Sequence, residues 1–100
     1  MGQTNQQWQE RRVEAVAQGV GNALPVYIER ARNAELWDVE GRRYIDFASG
    51  IAVLNTGHNH PAVIEAVKAQ LECFTHPCFQ VTPYGNYIEL AERLNALVPI

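Results

Sequence analysis

Residues 37–61 read WDVEGRRYIDFASGIAVLNTGHNHP, and the fold turns on how this stretch is read. Glu35-Leu36-Trp37-Asp38-Val39 and Arg42-Arg43-Tyr44-Ile45-Asp46-Phe47 are short runs rich in β-branched and aromatic types, so both are expected to be strands. Glu40-Gly41 forms the tight connection between them, with Gly41 supplying a positive φ, which predicts a hairpin. The second half, Ser49 to His60, is punctuated by Gly50 and Gly57 around an apolar run and is expected to be a glycine-rich loop. Pro61 suits the first position of a helix, where its missing N–H would have no partner anyway.

Working upstream, Val26 to Arg30 reads as a further strand, so the centre of the chain predicts a three-stranded antiparallel β-meander. Before it, Thr4-Asn5-Gln6-Gln7 has the form of a capping box, followed by a helix-compatible stretch to Gln18 that Gly19 and Gly21 should end. The apolar face of this helix (Trp8, Ala15, Val16) is thin, so it is expected to need a partner surface. Working downstream, Val63, Ala66, Val67, Gln70, Leu71 and Phe74 recur at helical spacing. Thr75 to Pro83 is a loop with two prolines. Tyr87, Leu90, Ala91, Leu94, Leu97 and Val98 mark a last amphipathic helix, closed by Pro99. The expected organisation is an α+β segment: residues 1–24 a helix and linker, 25–60 the meander and glycine-rich loop, 61–100 two amphipathic helices. Two apolar helix faces and a three-stranded sheet leave much surface to cover, so a fragment of a larger protein is expected.

Composition sets the class. Of 100 residues, 47% are apolar and 19% charged, the balance of a globular chain. The net charge is −3, and the only basic clusters are Arg11-Arg12 and Arg42-Arg43, which read as solvated faces and not as a nucleic-acid footprint. No apolar run approaches the roughly 18–20 residues that span a bilayer. The leading MGQTNQQWQERR lacks the apolar core of a secretory signal. Two cysteines, Cys73 and Cys78, make no disulfide framework. A reduced cytoplasmic protein without nucleic-acid or membrane partners is expected.

The chemistry-bearing residues do not assemble into a complete catalytic set. His58, His60, Cys73, His76 and Cys78 lie close in sequence, but a helix separates the two groups by about 20 Å at 1.5 Å per residue, which argues against a zinc site. Ser49 has no nucleophile elbow around it. The Gly50–Gly57 stretch matches neither a P-loop nor a dinucleotide fingerprint. Schiff-base chemistry needs a desolvated lysine amine, and the only lysine, Lys68, falls outside the apolar face of its helix. No catalytic, cofactor-binding or metal-ligating residue is therefore expected in this chain.

The spacing W-D-x-x-G-x-x-Y-x-D-F, then G-I-A-V-x-x-x-G-H-x-H-P, then a helix, resembles the N-terminal signature of the class III pyridoxal-phosphate-dependent aminotransferases, and within them the 4-aminobutyrate aminotransferases. The resemblance extends from Arg11-Arg12 to Pro99. It implies the small domain of a fold type I enzyme, pyridoxal 5'-phosphate as cofactor of the intact protein, and a homodimer or homotetramer. It also implies amino-group transfer from 4-aminobutyrate or a similar ω-amino acid to 2-oxoglutarate. Ornithine-, 5-aminovalerate- or diamine-type substrates are the alternatives within the family, and a non-catalytic interaction module is the alternative outside it. The family's catalytic lysine and phosphate-binding groups lie later in the chain, so these 100 residues alone are expected to be inactive. By position, the resemblance places Ile51 on the substrate pocket, with packing in the core as the other reading. It places Gly50 where the backbone approaches closely, and the Phe79-Gln80 loop near the active site.

Overall fold

The computed structural model describes residues 2–99. The elements run α1 (Asn5–Ala15), β1 (Ile28–Arg32), β2 (Glu35–Asp38), β3 (Arg43–Ile45), α2 (Ser49–Ala52), α3 (Pro61–Cys73) and α4 (Gly85–Leu97). They form two compact units, Met1–Ile64 and Glu65–Ile100.

In the first unit the strands follow one another in space as β1-β2-β3, the expected antiparallel meander. β1 lies two residues later than the sequence pattern placed it. Its pairing with β2 shifts register between Ile28 and Arg30, and the strand then continues through Ala31↔Leu36 and Arg32↔Glu35. Asn33, at φ 53°, makes the two-residue turn into β2; asparagine tolerates that left-handed region better than most residues. The β2–β3 turn is as expected: the Gly41 N–H donates to the Asp38 carbonyl at 3.0 Å, and Gly41 has φ 80°. β3 is shorter than the run Arg42 to Phe47, because beyond Ile45 the Asp46 side chain binds the amides of its own loop.

The buried centre of this unit is polar. Among the described residues no hydrophobic side chain is buried, and the two buried residues are Asn5 and Asp38. Asp38 is fully buried at the hairpin, where Oδ1 accepts from the Glu40 amide at 3.0 Å and the Arg42 amide at 2.8 Å. Its Oδ2 accepts from Tyr44 Oη and from Asn5 Nδ2, both at 2.9 Å. A buried carboxylate costs heavily unless its lone pairs are filled, and these four donors fill them. Burial pushes the Asp38 pKa up, but the four hydrogen bonds outweigh it and hold the group below its ordinary 3.8.

Asn5 ties α1 to the sheet. Its Nδ2 also reaches Glu40 Oε2 at 2.7 Å, and its Oδ1 accepts from the Tyr27 amide at 2.7 Å. Trp8 stacks on Tyr27 with ring centroids 6.4 Å apart. Of the thin apolar face of α1 only Trp8 finds a partner, and Ala15 and Val16 stay exposed; the helix meets the hairpin through hydrogen bonds. The capping box forms in both directions. The helix ends at Ala15, three residues before the expected limit. Val16 turns extended, and the Arg12 guanidinium donates to the returning Val20 carbonyl.

The second unit holds the rest of α3, a loop and α4. Phe74, Phe79, Tyr84 and Tyr87 form a chain of aromatic contacts with centroid separations from 4.3 to 6.4 Å. The Cys78 carbonyl accepts from the Val81 and Thr82 amides at 3.0 and 2.9 Å, closing a turn. Val67 and Leu71 on α3 and Leu90, Leu94 and Leu97 on α4 stay exposed, so the apolar faces read from the sequence are present and uncovered. No helix among the described residues is long and apolar enough to cross a membrane.

Candidate functional site

The glycine-rich loop is more ordered than its composition suggests. Ser49, Gly50, Ile51 and Ala52 have φ of 50°, 61°, 61° and 58°, so α2 is a single turn wound left-handed. Ordinary residues there place Cβ against the following carbonyl, at a cost of about 1 kcal/mol or more each for Ser49, Ile51 and Ala52. Only Gly50 takes the conformation freely. Within this chain a Cβ at Gly50 would meet Val53 and Leu54 at 3.8–3.9 Å, ordinary contact, so here it is the dihedral that requires the glycine.

Two groups brace this turn. Asp46 Oδ1 accepts from the Ala48 amide at 3.0 Å and the Ser49 amide at 2.8 Å, fixing the entry to α2. Asp46 Oδ2 meets His58 Nε2 at 2.7 Å. The hydrogen bond from His58, followed by that from the Ser49 amide, holds the Asp46 carboxyl below its ordinary 3.8. His58 is itself anchored through the backbone: Asn33 and His58 exchange both N–H···O bonds at 2.9 Å. Gly57 lets them meet, since a Cβ there would lie 2.8 Å from Asn33 Oδ1 and 3.0 Å from its Cα. Asp46 and His58 therefore close a loop of twelve residues' separation, with α2 inside it. Asn33, Asp46, Ser49, Leu54 and Gly57 line a cleft of about 320 Å³ beside it.

On this frame Ile51 is 89% exposed, an aliphatic side chain standing out from a strained and braced turn. Strained, well-determined backbone of this kind gathers at functional sites. Gly50 and Ile51 are brought together here. Phe79 and Gln80 belong to the second unit, where Phe79 packs on Tyr87 at 4.3 Å and Gln80 stands exposed on the turn after Cys78. Two larger concavities, about 590 and 440 Å³, are lined by residues of α1, the segments before it and before β1, the hairpin turn and the start of β1, and by none of the residues expected at the site. His60 starts α3, its Nδ1 accepting from the Ala62 amide at 3.2 Å.

Sequence reasoning passed over Asp46 and the partner role of Asn33. The available signal was Asp46 three residues before Ser49, a spacing at which a carboxylate can take up free turn amides. Lys68 is 67% exposed and paired with Glu65 at 3.2 Å, whereas a Schiff-base lysine needs a desolvated amine.

Comparison with known proteins gives the family. The profile of the family described as aminotransferase class-III matches residues 15–100. The chain belongs to the class III aminotransferase family. This class III chain is 53% identical over 96 residues to the 4-aminobutyrate aminotransferase of Escherichia coli, covering 96% of the chain and 22% of that protein. It is 59% identical over 99 residues to the 5-aminovalerate aminotransferase of Pseudomonas aeruginosa, covering 99% of the chain and 23% of that protein. The crystal structure of a Bacillus anthracis aminotransferase superposes with a TM-score of 0.74 at 25% identity, covering 95% of the chain and 22% of that structure. The chain thus spans little more than a fifth of the length of these relatives, and its meander and helices are a segment of a fold type I enzyme.

Proposed function

We propose that this chain is the N-terminal part of an aminotransferase that moves an amino group from 4-aminobutyrate or a similar ω-amino acid to 2-oxoglutarate. Family membership supports the reaction class. The observation that carries the substrate class is Ile51, an exposed aliphatic side chain on the braced left-handed turn. An aliphatic wall suits the slim methylene chain of an ω-amino acid, gaining about 0.8 kcal/mol per buried CH2. Gly50 contributes by permitting the turn, and the Phe79-Gln80 loop is the second segment we assign to the substrate side.

Pyridoxal 5'-phosphate is the cofactor of the intact protein in this reading, and it supplies the electron sink for amino-group transfer. This chain's part is to bind and orient the donor's methylenes. The 100 residues alone are inactive, and the intact protein is a cytoplasmic homodimer or homotetramer. The free state of Cys73 and Cys78 agrees with a reducing compartment.

A second reading, 5-aminovalerate as the amino donor, is favoured by the 59% identity to the Pseudomonas aeruginosa protein. Both are tested by incubating the intact protein and cofactor with 2-oxoglutarate and each donor, and measuring glutamate. Glutamate from an ω-amino acid is the expected result. Its absence with 4-aminobutyrate, 5-aminovalerate and ornithine alike would sink the ω-amino-acid reading and leave another amino donor of the family. Ile51→Phe is expected to lower kcat/KM for the preferred ω-amino acid about tenfold or more, by filling the space of the donor's chain.

A further inference from the structure

The strain of α2 needs a restraint, and among the described residues the structure supplies one at its entry. Three of its four residues are non-glycine in the left-handed region, and the turn is held internally by short-range bonds only: Ile51 and Ala52 to the Ala48 carbonyl, Val53 and Leu54 to the Ser49 carbonyl. Those bonds would be available to a relaxed loop in other combinations. The contacts from outside the turn are the two amides of Ala48 and Ser49 on Asp46, and Asp46 is held by His58. His58 is fixed in turn by its two-way backbone bridge to Asn33 at the tip of the β1–β2 hairpin. A continuous path therefore runs from the sheet through Asn33, His58 and Asp46 to the base of the turn that carries Ile51. Asp46 is half-buried, with its side chain only 7% exposed, and His58's is 20% exposed, so water competes weakly for this pair.

We infer that Asp46 and His58 are positioning residues that hold α2 in its left-handed form and so set where Ile51 stands against the amino donor. The inference rests on the substrate reading above for its functional consequence, and on geometry alone for the brace. Neither residue is assigned a step in the chemistry. Asp46 has no free face toward Ile51, since one oxygen takes the two amides and the other takes His58. Their influence on the reaction is thus expected in the choice between donors of different length, where a displaced pocket wall matters, more than in turnover of any one donor.

The test compares the intact wild-type protein with His58→Leu, which removes the hydrogen bond, and His58→Gln, whose amide N–H can still reach Asp46 Oδ2. His58→Asn, too short to reach, serves in place of His58→Leu if that variant does not fold. Two quantities are read. Amide hydrogen exchange over residues 51–54 should quicken about tenfold in His58→Leu or His58→Asn and stay near wild type in His58→Gln, with the amides of α3 unchanged. The ratio of kcat/KM for 4-aminobutyrate over 5-aminovalerate should shift about threefold or more in the first variants, and return in His58→Gln. Unchanged exchange at 51–54 overturns the brace. Faster exchange with all donors slowed equally overturns the positioning role and leaves a merely structural one. If the wild type uses no ω-amino acid, the substrate reading and the consequence for Ile51 fall together, while exchange still decides the brace.

Discussion

Asp38 is the residue on which the first unit depends most. Asp38→Ala would strip an acceptor from Asn5, the Glu40 and Arg42 amides and Tyr44 at once, and unmatched donors in a buried site are costly. The hairpin amides are expected to lose their protection from hydrogen exchange in that variant. Asn5→Ala leaves the carboxylate three of its four donors but unties α1, with an expected loss of about 1–3 kcal/mol in a denaturant titration of the intact protein. Gly57→Ala is expected to cost more than about 1 kcal/mol, because φ is 80° and the new methyl meets Asn33. Acid has a signed effect here. Asp38 and Asp46 are both held below 3.8, so their stabilising contributions are complete above that value and are lost as pH falls through the lower folded values. Carboxyl NMR titration of the two side chains should show midpoints below 3.8; a midpoint above it for either would contradict the hydrogen bonding described. Tyr44 carries the opposite sign. Its hydrogen bond to Asp38 and its burial raise it above 10.0, so its contribution holds at neutral pH and is lost in alkali.

Among the elements, α2 departs most from its sequence. Ala52→Gly is expected to stabilise the loop by up to about 1 kcal/mol by relieving one left-handed alanine, read as a rise in the unfolding midpoint of the intact protein. Strands β2 and β3, their Gly41 turn and the Pro61 start of α3 were legible, because each follows from a local rule of alternation, dihedral or missing N–H. The handedness of α2 was not legible. Ser49, Ile51 and Ala52 have no intrinsic preference for positive φ, and the conformation is imposed by Asp46 and by a histidine twelve residues from it. The two-residue displacement of β1 has a similar origin: Val26 and Ile28 alternate well enough, but register is set by the irregularity at Glu29 and by the Asn33 turn. α1 was shorter than its composition allowed because the backbone turns extended at Val16, a change that no helix propensity foresees. Of the proposed site, Gly50 and Ile51 are carried by the motif alone, and the bracing Asp46 was overlooked since acidic residues in strand ends are ordinarily solvated.

The whole molecule is held by hydrogen bonds more than by apolar burial. Among the described residues no hydrophobic side chain is buried, while Phe47, Leu71, Leu90 and Leu97 stand open. Hydrophobic burial is the main favourable term in folding, so residues 1–100 expressed alone are expected to bind a hydrophobic dye and to melt without a cooperative transition. A sharp thermal transition with no dye binding would contradict this. The polar knot around Asp38 has a different implication. Three of its four donors come from Glu40, Arg42 and Tyr44, within six residues of the acceptor, and the fourth, Asn5, precedes it. Every partner has already left the ribosome when Tyr44 emerges, so the hairpin and its docked helix can form on the nascent chain before the apolar helices emerge.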